Sequence, residues 1–273
     1  MSALLEIGGL TRRFGGLVAV RDVAMDVAPG SVHGLIGPNG AGKTTLLNLI
    51  SGHIPSSSGR IGFAGGDITR WSVDRRARAG IRRTFQNLKL FRDMTVLENV
   101  MVGMHGETHC EIWRALLRTR AQRSEEAAIA ERAREALDFV GLLNLADTRA
   151  DDLPYGSQRL VEIARATVAR PKLLLLDEPA AGLNGVESRR LVDLIGAIRS
   201  AGTTILLVEH HMDVVMPSCD CITVLNYGQR LANGTPAEIR AHPEVIKAYL
   251  GGGLKRRETR TSKQQAELLH AAS

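Results

Sequence analysis

Only three cysteines, Cys110, Cys219 and Cys221, stand among 273 residues. They are too few and too poorly spaced for a disulfide framework or a zinc site, which fits a reducing compartment. Long apolar runs are also missing. A membrane-spanning helix needs ~18 such residues in succession, whereas a stretch such as Leu173–Leu176 has the length of a buried strand. The opening MSALLEIGGL has no basic segment and is interrupted by Glu6, so it is not expected to act as a secretory signal. No internal repeat is visible. With 44% hydrophobic and 23% charged residues, the composition excludes a disordered chain, a collagen and a multi-span membrane protein. At roughly 150 residues per domain, the length allows one or two domains.

What charge there is leans basic: 35 Lys and Arg against 29 Asp and Glu, a net +6. The excess is clustered. Arg70–Arg92 holds eight basic residues and one acid, Asp74, and the segment from Leu254 holds five against Glu258 and Glu267. A solvated basic face, a nucleic-acid surface and an anionic-membrane surface all fit this pattern, and charge does not choose among them.

Short β-rich runs alternate with helical patterns, the mark of an α/β protein with a mostly parallel sheet. Strands are expected at Ser31–Ile36, Lys172–Asp177 and Thr203–Val208, and a helix from Lys43 to Leu49. Between about 93 and 165 the character turns helical. Ser124 is expected to cap a helix with Glu125 and Glu126 in its first turn, and Ile129, Ala133, Ala136, Leu137 and Val140 then recur at helical spacing. Residues 251–273 open with three glycines and become polar and basic, as a flexible tail would.

The strongest chemical signal is Gly37-Pro38-Asn39-Gly40-Ala41-Gly42-Lys43-Thr44, a G-x-x-x-x-G-K-[ST] segment after a strand and opening a helix. Glycines let successive backbone N–H groups turn inward around phosphate oxygens, and the helix adds the positive end of its dipole. Lys43 can reach the β- and γ-phosphates, and the Thr44 hydroxyl can ligate Mg²⁺. Leu173–Leu176 then delivers Asp177 and Glu178 at the end of a buried strand. Adjacent strand residues face opposite ways, so the two acids should divide the work. Asp177 would serve the Mg²⁺ shell, and Glu178 would polarise water for attack on a γ-phosphate.

With these pieces placed, Leu153-Pro154-Tyr155-Gly156-Ser157-Gln158, ahead of an expected helix over Arg159–Ala166, is similar to the L-S-G-G-Q signature of ATP-binding-cassette (ABC) ATPases. Tyr155 and Ser157 take its middle positions, and Pro154 replaces the usual serine. The chain resembles that family over about residues 3–250. The resemblance implies a P-loop α/β core with a mostly parallel sheet, an N-terminal antiparallel β part and an inserted helical subdomain at about 93–165, all within an ABC ATPase domain of residues 1–250. It implies ATP and Mg²⁺ as ligands, with Gly37 to Thr44 and Thr45 around the phosphates and Phe14 stacked on adenine. Gln86 would reach Mg²⁺ and water and link the nucleotide to a transmembrane partner. His210 is similar to the switch histidine at the γ-phosphate, with His211 as its rival. Tyr155, Gly156, Ser157 and Gln158 would face the ATP of a second ATPase subunit. Asn184 stands where an aspartate is commoner.

Three classes of ABC protein compete: a transporter motor, a DNA-repair or chromosome ATPase and a translation-type factor. The second needs a long coiled-coil or zinc insertion between P-loop and signature, and the third needs two cassettes; neither is present in the sequence. The transporter reading makes the basic run around Gln86 a permease-docking face, with no nucleic acid expected. Phe14-Gly-Gly-Leu17, the Tyr155-Gly156 pair, Ala-Ala-Gly-Leu-Asn184, Val208-Glu-His210, the long 103–123 segment and Val245-Ile-Lys-Ala-Tyr-Leu-Gly251 resemble the ATPases of branched-chain amino-acid importers. Urea and short-chain amide importers share most of these features. The implied setting is the cytoplasmic face of the inner membrane, with separate permeases and a solute-binding protein.

Overall fold

Residues 2–86, 88–104 and 120–249 are described in the computed structural model; the expected tail, Cys110 and most of the 103–123 segment fall outside them. Two sheets organise the chain. β1 (Leu5–Phe14), β2 (Leu17–Val27), β4 (Ser58–Phe63) and β5 (Gly66–Asp67) form an antiparallel sheet in the order β2-β1-β4-β5. β3 (Val32–Ile36), β6 (Ile81–Arg83), β7 (Leu173–Asp177), β8 (Thr204–Val208), β9 (Cys221–Asn226) and β10 (Gln229–Gly234) form a second, in the order β10-β9-β3-β8-β7-β6. Its strands run parallel except for the β9–β10 hairpin at one edge. The fold is therefore the expected α/β class with an antiparallel N-terminal part.

β7 and β8 are almost wholly apolar because both of their faces are covered. Leu173 and Leu175 enter one cluster with Leu46, Leu47 and Ile50 of α1 (Lys43–Ser51) and with the antiparallel sheet. Leu174 and Leu176 enter another with Leu191, Leu194, Ile195 and Ile198 of the later helix Gly185–Ser200. Each of these four leucines is fully buried, a contribution of about 1.5–3 kcal/mol apiece.

A third cluster lies among helices. After the short α2 (Val73–Arg78) come α3 (Val96–Met101), α4 (Arg120–Phe139) and α5 (Tyr155–Thr167). Val96, Val100, Ala133, Leu137, Val161 and Ala164 meet there, as the helical spacing of the sequence requires. The remaining helices are α6 (Gly185–Ser200), α7 (Met212–Ser218) and α8 (Pro236–Ala241), with a further helical stretch at 243–249.

Three expectations are corrected. Ser124 does not cap α4, because the helix already runs from Arg120 and places Ser124 on its exposed surface. The signature helix begins at Tyr155, not at Arg159, since Pro154 occupies the N-cap, where its missing N–H costs nothing. The run Arg70–Arg92 is not a uniform solvated face. Arg76 is 2% exposed, and its guanidinium donates to the carbonyls of Leu49, Ile50, Thr69 and Trp71, satisfying the C-terminal end of α1. Arg83 also turns inward, whereas Arg70, Arg75, Arg78, Lys89 and Arg92 remain exposed.

Candidate functional site

The Gly37–Gly42 loop carries the chain from the end of β3 into α1. Gly42 has φ +100°, and a Cβ there would stand 2.6 Å from the Ala19 carbonyl oxygen, so only glycine fits. Lys43 is 6% exposed, and its Nζ donates to the carbonyls of Gly37 (2.7 Å) and Pro38 (3.2 Å). Burial pulls the Lys43 pKa down, while the carboxylates of Glu178, Asp177 and Glu209 push it back up. A cavity of about 680 Å³ opens over this loop, lined by Asn39, Gly40, Ala41, Gly42, Lys43, Thr44, Thr45, Gln86 and Glu178. Leu17, Val18 and Ala19 line its other wall. Phe14 is not among the lining residues. It ends β1, pairs with Leu17 across the hairpin, is 44% exposed and lies under the Arg12 guanidinium, 4.6 Å from its ring centre.

Asp177 and Glu178 part ways, but through a turn and not through strand alternation, because β7 ends at Asp177. Asp177 is 3% exposed, and its Oδ2 pairs with Arg83 Nη2 at 2.9 Å. Arg83 also donates to Asn48 Oδ1 (2.6 Å) and Ser51 Oγ (3.1 Å), fastening the end of β7 to α1. Glu178 leaves the strand with φ +49°, a left-handed conformation that is strained for a non-glycine residue and is held by its N–H bond to the Val208 carbonyl at 2.8 Å. The turn presents its carboxylate to the cavity, where Gln86 Nε2 donates to Oε2 at 2.9 Å. His210 Nδ1 lies 3.8 Å from Oε1, and the His211 ring stacks behind it at 4.3 Å between centroids. Lys43, Thr44, Gln86, Glu178 and His210 are thus brought to one place from four separate segments.

Tyr155, Gly156, Ser157 and Gln158 are not. They form the first turn of α5 and are not among the residues lining this cavity, although Tyr155 Oη and the Gln86 carbonyl both accept from Arg159 Nη2. Gln158 Nε2 donates back to the Leu153 carbonyl, and a Cβ on Gly156 would sit 2.5 Å from Glu187 Oε1. Asn184 has a structural role: its Oδ1 accepts from the N–H groups of Val186 and Glu187, while the Glu187 carboxylate accepts from the Asn184 N–H, a reciprocal cap on α6.

Three contacts had no sequence signal. One is Arg83 on Asp177. Another is the buried pair Arg159–Glu162, 2.6 Å apart, which grips the Gln86 segment: Arg159 donates to the carbonyls of Phe85 and Gln86, and Glu162 Oε1 accepts from the Phe85 N–H. The third is Glu209, considered below. The Asn184–Glu187 spacing, by contrast, could have been read as a helix start.

A phosphate-binding loop, a half-buried carboxylate and a glutamine–glutamate contact over one cavity define a P-loop nucleotide hydrolase. Known proteins make this specific. The family model described as ABC transporter matches residues 20–181, and that of the branched-chain amino acid ATP-binding cassette transporter matches 229–255. The high-affinity branched-chain amino acid transport ATP-binding protein LivG of Salmonella typhimurium is 46% identical over 249 residues, covering 91% of this chain and 98% of that one. BraF of Pseudomonas aeruginosa, described in the same terms, gives the same identity and coverage. The ADP conformation of MJ1267, an ATP-binding cassette of an ABC transporter, superposes with a TM-score of 0.81 at 32% identity, over 92% of this chain and all of that one. The chain belongs to the ABC transporter family and is one of its ATP-hydrolysing subunits. Among the described residues no helix is long and apolar enough to cross a membrane.

Proposed function

We propose that this subunit powers the uptake of branched-chain amino acids through separate permeases, docked at the cytoplasmic face of the inner membrane and supplied by a solute-binding protein. The observation that carries this reading is the near-complete alignment with LivG and BraF, reinforced by the branched-chain match at the C-terminal 229–255. Urea or amide uptake has no comparable support. Arg75, Arg78, Lys89 and Arg92, exposed members of the sequence run that holds Gln86, would give the permeases basic docking residues.

In the hydrolytic step Glu178 accepts a proton as water attacks the γ-phosphorus. The bond to the β–γ bridging oxygen breaks with its electron pair leaving on ADP, and the proton passes on to phosphate. Gln86 holds the Glu178 carboxylate in place and contacts the water; Lys43 and the loop N–H groups bind the charge that develops, and His210 contacts the γ-phosphate. Phe14, which pairs with Leu17 beside that wall without lining the cavity, would stack on adenine. Thr44, Gln86 and Asp177 would supply the hard oxygen donors Mg²⁺ takes; Arg83 pairs with Oδ2 of Asp177, which leaves Oδ1 for a cation. Bound there, Mg²⁺ would neutralise phosphate charge. Tyr155, Gly156, Ser157 and Gln158 meet the ATP of a second subunit, so ATP closes a head-to-tail dimer and hydrolysis reopens it. The helical layer at about 93–165 moves with them as a subdomain of the 1–250 domain.

Uptake of radiolabelled leucine, isoleucine and valine in cells lacking the gene tests the assignment. Loss of high-affinity uptake of these three is expected. Normal entry of all three, with urea or amide uptake collapsing, would overturn the substrate and leave the motor intact.

A further inference from the structure

Glu209 has no role in the steps above, yet its side chain is fully buried between the two loops those steps depend on. It directly follows β8. Its Oε1 accepts from the backbone N–H of Ala180 at 2.8 Å, two residues beyond Glu178. Its Oε2 accepts from the N–H groups of His210 (2.7 Å) and His211 (3.0 Å). One carboxylate thus bridges the loop that carries the hydrolytic acid and the loop that carries the phosphate-contacting histidine. The Glu178 N–H bond to Val208 joins the same two segments one step earlier.

Burying an ionised carboxylate costs several kcal/mol unless hydrogen bonds and charges compensate it. Here the compensation comes from three backbone donors and, at longer range, the Lys43 ammonium, with His210 Nδ1 3.6 Å away as a charged partner only when protonated. A neutral amide could not replace it. Gln has one accepting oxygen and one NH2 group, so one side of the bridge would face donor against donor. The two-sided acceptor is what joins the loops, and its removal releases one of them.

We propose that Glu209 is a positioning residue for hydrolysis, setting the separation of Glu178 and His210 by holding both loops with a single carboxylate. The inference rests on the roles given to those two residues above. It requires that Glu209 act through Glu178 and His210 together and that nucleotide affinity, which the P-loop supplies, be largely independent of it.

The test is a double-mutant cycle in the full chain, with turnover expressed per ATP-binding site so that any unfolded fraction cancels. Glu209→Gln should keep the KM for MgATP within about threefold while kcat per site falls by about 10- to 100-fold. In a His210→Ala background the same substitution should cost clearly less than in the wild-type background, because the part of its effect that runs through the imidazole is gone while the part that runs through the Glu178 loop remains. A merely fold-stabilising Glu209 would instead lower the melting temperature and the number of binding sites, leave kcat per site near wild type, and add its full effect to that of His210→Ala. Any of those kinetic results overturns the proposal. Glu209→Ala is the second variant: if neither it nor Glu209→Gln binds ATP, Glu209 is a stability element and the positioning role is refuted. Wild-type turnover in His210→Ala alone would remove the histidine's assignment and the proposal with it, whereas failure confined to Glu209 leaves that assignment standing.

Discussion

Lys43 and Glu178 face one cavity but should fail differently when changed. Lys43 contributes a charge that phosphate meets in both ground and transition states, and its ammonium already bonds the loop carbonyls it would leave for a ligand. Glu178 matters only once water attacks. Lys43→Ala should therefore weaken ATP binding by about 10-fold or more, and Glu178→Gln should bind ATP normally while turnover falls by about 100-fold or more. Nucleotide affinity and steady-state hydrolysis on both variants check this pair. Near-wild-type turnover in Glu178→Gln would contradict it. The P-loop was legible from sequence because its pattern is local, eight consecutive residues between β3 and α1. Arg83 was not, because its partner Asp177 is 94 positions away and nothing in a run of arginines marks the one that turns inward.

At the scale of elements, α5 carries the heaviest load. Ile163 and Ala166 pack against the sheet, Val161 and Ala164 pack into the helical layer, and Arg159 and Glu162 hold the Phe85–Gln86 backbone between them. Burial raises the Glu162 pKa, and the Phe85 N–H and Arg159 oppose that rise. Both side chains of the pair are 1% exposed, so removing one partner strands the other. Arg159→Met alone should cost about 3–5 kcal/mol, and Arg159→Met with Glu162→Leu should recover most of it. Urea unfolding of both proteins measures the difference; equal losses would show that the ion pair is not the cause. The double variant should still lose turnover, since Gln86 is no longer held from behind. Sequence reading found this helix but started it four residues late. From sequence the signature segment reads as lying ahead of the helix, whereas Tyr155–Gln158 form its first turn and Pro154 its N-cap.

The whole molecule has a built-in acid sensitivity. His33 lies in the central strand β3, 2% exposed, with its Nε2 bonded to Thr223 Oγ1 at 2.8 Å. Thr223 Oγ1 in turn bonds Asn233 Oδ1, so Nε2 carries the proton and donates. Burial lowers the His33 pKa from 6.5 to about 4. Between those values the unfolded chain binds a proton that the folded chain refuses, so stability falls as pH drops from 6.5 towards 4 and is unaffected above 6.5. The loss from this group is on the order of 3 kcal/mol. His33→Asn should flatten that part of the stability profile, as denaturant unfolding at pH 7 and pH 5 would show; an unchanged slope would contradict it. The α/β class was legible because buried parallel strands such as β7 and β8 are short, nearly continuous apolar runs. The inward turn of Arg76, like the burial of Glu209, depends on which loops meet and has no local signature.

The account joins two claims, that Glu178 drives hydrolysis and that hydrolysis drives amino-acid uptake. The measurement that tests both is high-affinity leucine uptake in cells whose only copy carries Glu178→Gln, with protein level checked alongside. The account predicts that uptake falls to the level of the gene deletion while the protein is present in normal amount. Leucine uptake at the wild-type rate in those cells would contradict it.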